Sequence, residues 1–172
     1  MPFSDDEQIL IEEKSKGKPV IFIVSIGLFV LSLFNICFCT DNGCRFSIEA
    51  LLIGWLAMLT GGAAISWLAN PFLIIAWVLL ARSKKAAWIF GLAATILCIS
   101  FLRFQVIIEN EAGQYNPIAK IGIGYWLWLS SCATTFVGSL LIRVFSGVKN
   151  SQKSPNLVPG RPQHPVKRSC CR

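Results

Sequence analysis

Apolar residues fall in four long runs separated by short polar stretches, at 19–38, 63–81, 86–102 and 121–142. Each run is close to the ~20 residues that carry a helix across a hydrocarbon core. The middle of the chain is denser still. From Ile48 to Ala81 apolar residues continue almost without a break, as IEALLIGWLAMLTGG and then AAISWLANPFLIIAWVLLA, interrupted only at Gly61-Gly62 and Asn70-Pro71. A helix over Ile48–Thr60, rising about 1.5 Å per residue, reaches roughly 20 Å against a core of about 30 Å, so it is expected to lie in the interface without crossing. Ala63–Ala81 is expected to cross, bent near Pro71. The predicted fold is all-α: four transmembrane helices in an antiparallel bundle, with a short interfacial helix before the second span. The domain limits follow as a cytoplasmic N-terminal segment at 1–18, a four-helix transmembrane domain at 19–146 and a disordered cytoplasmic tail at 147–172.

Small and weakly polar residues recur at helical spacing within the runs, which lets helix backbones approach where lipid supplies no hydrophobic force for association. Gly62, Ser66 and Asn70 mark one such stripe, Ala87, Gly91, Thr95 and Cys98 a second, and Ser131, Thr135 and Ser139 beside Thr134 and Gly138 a third. Ser25, Ser32, Asn35 and Cys39 share a face of the first run. Asn70-Pro71 is the most unusual step. Proline removes the donor for the carbonyl of Trp67, and Asn70 places an amide inside the membrane. Such breaks serve as packing kinks or line solute sites, and the kink takes precedence here. The set that a site would use is Ser66, Asn70, Pro71, Thr134 and Thr135.

Net charge is +7, from 16 Lys and Arg against 9 Asp and Glu. In a soluble protein that balance would raise nucleic acid as a partner, but here it resolves by position. With the four runs as spans, only Arg45, Arg103 and Lys120 fall on one side and every other base on the other, which places both termini in the cytoplasm. Lys84 and Lys85 then meet anionic head groups of the bilayer. Tyr125, Trp126 and Trp128 open the last run, where an aromatic belt is expected.

Cys37, Cys39 and Cys44 cluster around the turn-forming Asp41-Asn42-Gly43. Unpaired buried thiols are the first reading and a Cys39–Cys44 disulfide the second, the latter if this side meets an oxidising compartment. No metal is expected, since the one histidine, His164, lies far off in the tail. Cys170 and Cys171 stand among bases at the end of that tail, suited to acylation in a eukaryotic cell and to reduced thiols in a bacterium. The chain lacks HExxH, GxSxG, a phosphate-binding loop and any carboxylate pair within the runs, so neither an enzyme nor a cofactor is expected.

The stretches GWLAMLTGGAAISWLANPFLIIAW, ENEAG and GIGYWLWLSS together resemble a group of small bacterial four-helix inner-membrane proteins. The resemblance covers about half the chain and implies a multi-pass inner-membrane location. It carries no activity and therefore no site residues. Two functions are then in play. The first is a non-catalytic accessory or immunity-type protein, with the lipid bilayer and another membrane protein or a toxin as partners. The second is a small transporter or channel subunit acting as a homo-oligomer, with Asn70, Ser66, Thr134 and Thr135 along its path.

Overall fold

A computed structural model describes residues 5–58, 61–108 and 115–152, with side chains placed over 17–58, 61–107 and 116–144. Helix α1 (Asp5–Leu33) leads into strands β1 (Ile36–Thr40) and β2 (Gly43–Phe46), then α2 (Ser47–Ala57). A 3-10 helix over Gly62–Leu68 continues directly into α3 (Ala69–Ala81), followed by α4 (Ala87–Phe101), β3 (Val106–Ile108), β4 (Tyr115–Ile121) and α5 (Ile123–Gln152).

The all-α bundle of four transmembrane helices is overturned. Four strands form an antiparallel sheet in the order β2-β1-β4-β3, and the described residues also form five α-helices. Among the described residues, two helices are long and apolar enough to cross a membrane, Gly62–Ala81 and Ile123–Val144. The apolar part of α1, Gly17–Leu33, and α4 are shorter. The physical cause is visible in the first run. Its final residues, Ile36-Cys37-Phe38, and the Cys39-Thr40 that follow are β-branched, aromatic or thiol side chains that suit a pleated surface, and the Asp41-Asn42 turn folds them onto β2. The run expected at 121–142 likewise gives its first residue to β4, and that expected at 86–102 yields a fifteen-residue helix.

Hydrophobicity alone could not separate strand from helix there. The β1–β2 register sets Ile36 opposite Phe46 and Phe38 opposite Arg45, so Cys37 is an extra residue in a bulge. Consecutive Cys37 and Phe38 are therefore both buried, against the usual alternation of a strand. Phe38 packs with Phe101 and Tyr125, in the cluster that seats the sheet on the helices.

Four helices pack side by side beneath the sheet. α1 and α5 are antiparallel, joined by Ser25 with Ser131 and by Ile21 with Gly138. α4 runs against α5, with Gly91 beside the backbone of Phe136, where a Cβ would come within 2.9 Å of Phe136 Cα. α3 turns back into α4 through a tight helix C-terminus. Lys84 N–H donates to Leu79 O at 2.8 Å and Ser83 N–H to Leu80 O at 3.0 Å, the bond pattern of a Schellman motif. Ser83 holds the left-handed position, φ 54°, usually given to glycine. At this end Lys18 Nζ also donates to Ser83 Oγ at 3.0 Å, and the Arg143 guanidinium lies 4.7 Å from the ring centre of Trp88. The molecule thus has a basic end, with Lys18, Arg82, Lys84, Lys85 and Arg143, and a sheet end carrying Arg45, Arg103 and Lys120.

Two further differences concern the ends of the chain. α1 is continuous through Pro19 from Asp5, so it joins the N-terminal segment expected at 1–18 to the first apolar run. α5 runs on to Gln152, into the segment expected to be disordered from 147. Cys170, Cys171, His164 and the Glu109–Gly113 stretch lie outside the described residues.

Candidate functional site

The break at Gly61-Gly62 needs its glycines, which take φ of 78° and 63°. The chain then tightens into the 3-10 helix and relaxes to α-helix at Ala69, so Pro71 stands in the first turn of α3, where its missing N–H costs little. The expected mid-span bend at Pro71 is replaced by this change of helix type. The carbonyl of Trp67 still needs a donor. Asn70 supplies it: its Nδ2 donates to Trp67 O at 3.1 Å while its Oδ1 accepts from Trp128 Nε1 at 2.9 Å. Asn70 is 6% exposed, so both bonds are shielded from competing solvent.

A second polar centre lies where α1, α3 and α5 meet. Ser25 and Ser131 exchange bonds, Ser25 Oγ to Ser131 O at 3.0 Å and Ser131 Oγ to Ser25 O at 2.8 Å. Thr135 Oγ1 sits 2.7 Å from Ser25 Oγ and 3.1 Å from Ser131 O. Trp77 Nε1 reaches both Ser25 Oγ, at 2.9 Å, and Thr135 Oγ1, at 3.2 Å. Three hydroxyl protons and one indole proton thus all have protein acceptors. No donor in this clasp is left to hold a ligand.

The five residues grouped by sequence are therefore divided. Ser66 and Asn70 line a pocket, Pro71 shapes the backbone beside it, and Thr135 is locked into the clasp on another face of the bundle. Thr134 is half-buried beside Thr135 and does not line the pocket. Tyr125 and Trp128 leave the expected aromatic belt for the interior. Tyr125 is fully buried and donates to Cys98 O at 2.9 Å, whereas Trp126 stays half-exposed.

The pocket, about 220 Å³, lies between α2, the sheet and the upper ends of α1, α3 and α5. Its walls are largely apolar: Phe29, Leu33, Phe38, Leu51, Trp67 and Phe101 among them. The polar groups that reach it are turned away. Ser32 donates to Phe29 O at 2.6 Å, Ser47 to Asn35 O at 3.1 Å and Ser66 to Ala63 O at 2.7 Å. Trp67 Nε1 donates to Leu51 O at 2.8 Å, which fastens α2 over the pocket. Gly54 allows that contact, since a Cβ there would collide with the Trp67 ring. Arg45 and Glu49, 3.9 Å apart and each about half exposed, form a charged rim.

The cysteines separate by environment. Cys39 and Cys44 face each other in the β1–β2 register and are joined by a disulfide, the second of the two states the sequence left open. Cys37 is free and buried in the bulge; desolvation raises its thiol from an ordinary value of 9.0 to about 11, slightly offset by a hydrogen bond with Ser47. Cys98 and Cys132, 3.4 Å apart through their sulfurs, are fully buried among Ala69, Leu73 and Ala94. They act there as small apolar side chains. Among the described residues no three His, Cys, Asp or Glu side chains gather to hold a metal.

No protein-family model, curated protein or solved structure matches the chain. Function must therefore be argued from the geometry. The sequence could not have placed the pocket, because its walls come from five separated segments and depend on a sheet that the apolar runs concealed. One signal was present: Trp67 and Gly54 stand opposite each other across the Gly61-Gly62 turn, a large residue against the smallest.

Proposed function

We propose that this is a non-catalytic integral membrane protein of the accessory or immunity type, seated in a bacterial inner membrane and recognising another membrane protein or a toxin through its sheet end. Membrane association rests on the two helices able to cross, Gly62–Ala81 and Ile123–Val144. The basic end, with Lys18, Arg82, Lys84, Lys85 and Arg143, belongs in the cytoplasm by the positive-inside rule, and both termini follow it because α1 starts and α5 ends there. The sheet end then faces the oxidising side, where a Cys39–Cys44 disulfide is stable.

The observation that carries the functional choice is the hydrogen-bond accounting between the helices. Ser25, Ser131 and Thr135 donate their hydroxyl protons to protein acceptors, Asn70 donates through Nδ2 to Trp67 O, and the described parts of the two candidate spans hold Arg143 as their one ionisable Lys, Arg, Asp or Glu, at the basic end. Ion and proton pathways are marked by intramembrane ionisable groups and open polar surface. A transporter or channel subunit is therefore the weaker reading. The surface left for recognition is α2 and the sheet. Reconstitution into liposomes tests this: the protein should add no potassium or proton leak above that of protein-free vesicles, and a conductance abolished by Asn70→Leu would transfer the case to transport.

A further inference from the structure

The pocket under α2 is not needed to explain membrane insertion or packing, and its chemistry selects its contents. A cavity of about 150 Å³ lined by Leu, Ile and Phe stays dry and takes up benzene, so an apolar pocket of about 220 Å³ has room for a hydrocarbon group of at least that size. Its hydroxyl and indole protons are already donated to Phe29, Asn35, Ala63 and Leu51 carbonyls and to Asn70 Oδ1, which leaves little for a polar ligand to bond inside. The outer side of the same wall is apolar too. Leu52, Ile53, Trp55 and Leu56 of α2 are all more than half exposed, and Ile53 also lines the pocket, so the interior adjoins surface of the kind that faces acyl chains. At the rim stands the Arg45 guanidinium, half exposed and 3.9 Å from Glu49, a planar group of the kind that binds phosphate oxygens.

We propose that this pocket binds one acyl chain of a phospholipid of the surrounding bilayer, with the phosphate beside Arg45. The occupant rests on the membrane location but not on the accessory or immunity role. Filling the pocket with a lipid chain completes the contact between α2, the 3-10 helix and β1, so the protein would hold one phospholipid as part of its sheet end.

The test uses the full chain in vesicles of phosphatidylethanolamine and phosphatidylglycerol, containing a trace of phosphatidylglycerol with a photoreactive diazirine at the end of one acyl chain. After irradiation, mass spectrometry should find adducts at Leu51 and Phe101 several-fold above those at Ile96 and Val137, which face outward from α4 and α5. Ala50→Phe or Ala64→Leu, each filling the pocket from one wall, should remove the excess, and Ile96→Phe should not; Arg45→Gln should weaken it several-fold. Equal labelling at Leu51 and Ile96, or an excess untouched by filling, would mean annular lipid alone and would overturn the proposal. Labelling by a diazirine fatty acid but not by the phospholipid would overturn the occupant named. An absence of lipid adducts at Leu51 and Phe101 would do the same, leaving a partner's side chain as the occupant. If both filling variants fail to fold, the parent's ratio of Leu51 to Ile96 still decides.

Discussion

Trp128 on α5 donates its indole N–H to the Oδ1 of Asn70 on α3 at 2.9 Å, and so ties the helix carrying the chain's one mid-run proline to the longest helix among the described residues. The same amide, through Nδ2, repairs the Trp67 carbonyl that Pro71 leaves without its helical donor. Asn70 is thereby a structural bridge with both ends occupied. Its bonding favours a packing role over a binding site.

This bridge sets the order of two substitutions. Asn70→Leu strands an indole proton and a carbonyl, and should destabilise by about 1–2 kcal/mol, toward the upper part of the range for hydrogen bonds between membrane helices. Pro71→Ala restores a donor that Asn70 already replaces, in a first turn that tolerates proline, and should change stability by less than about 0.5 kcal/mol. Thermal unfolding of the purified variants in detergent compares them. Equal effects, or a larger loss in Pro71→Ala, would remove Asn70 from this role.

The clasp at Ser25 predicts a contrast between buried serines. Ser25→Ala removes the nearer of two acceptors for Trp77 and half of the reciprocal pair with Ser131, and should cost about 1–2 kcal/mol. Ser139→Ala loses only a local bond to Phe136 O and should fall within about 0.5 kcal/mol of the parent. The same unfolding measurement separates them.

Ser83 invites a stabilising change. A side chain at φ 54° pays roughly 1 kcal/mol that glycine avoids, so Ser83→Gly should raise stability by up to about 1 kcal/mol, reduced by loss of the exposed bond from Lys18. Ser83→Val, β-branched at the same position, should lower it. A shift in the unfolding midpoint of opposite sign in the two variants is the expected result.

Cys37 gives the sheet a pH dependence. Its folded-state pKa of about 11 lies above the ordinary 9.0 because burial disfavours the thiolate, so below pH 9 both folded and unfolded states keep the proton and the group is silent. Above pH 9 the unfolded chain ionises first, and stability falls until about pH 11, by at most about 3 kcal/mol. Denaturant melts at pH 8 and pH 10 should show a larger decline in the parent than in Cys37→Ala. Iodoacetamide, which reacts with thiolate, should leave Cys37 unmodified at pH 8 in the folded protein.

Helix packing was the part of the fold most legible in sequence. Ala87, Gly91 and Cys98 of one stripe are buried against neighbouring helices, as are Ser131, Thr135 and Ser139 of another, because small residues at helical spacing have one efficient use between closely packed backbones. The sheet was not legible. Ile36–Thr40 continues an apolar run without a break, and a short strand and the end of a buried helix share that signature. β4 was hidden for a different reason: Asn116 and Pro117 argue for a loop, and the proline is accommodated where the β1–β4 pairing, which begins at Ile118, does not reach it and β3 is the one neighbouring strand. Tyr125 and Trp128 misled through position, since aromatic residues opening a span fit a belt at the interface until the sheet covers that end and turns them inward.

The side on which the disulfide-bonded sheet lies governs whether it can meet an external partner, and accessibility of single cysteines measures it directly. In a background with Cys170 and Cys171 replaced by Ser, Ala119→Cys on β4 and Ser83→Cys at the α3–α4 turn are exposed to solvent, while Cys37, Cys98 and Cys132 are buried. In intact cells a membrane-impermeant maleimide should label position 119 and spare position 83 until the membrane is opened. Labelling of position 83 with protection of 119 would place the sheet in the cytoplasm and contradict the account.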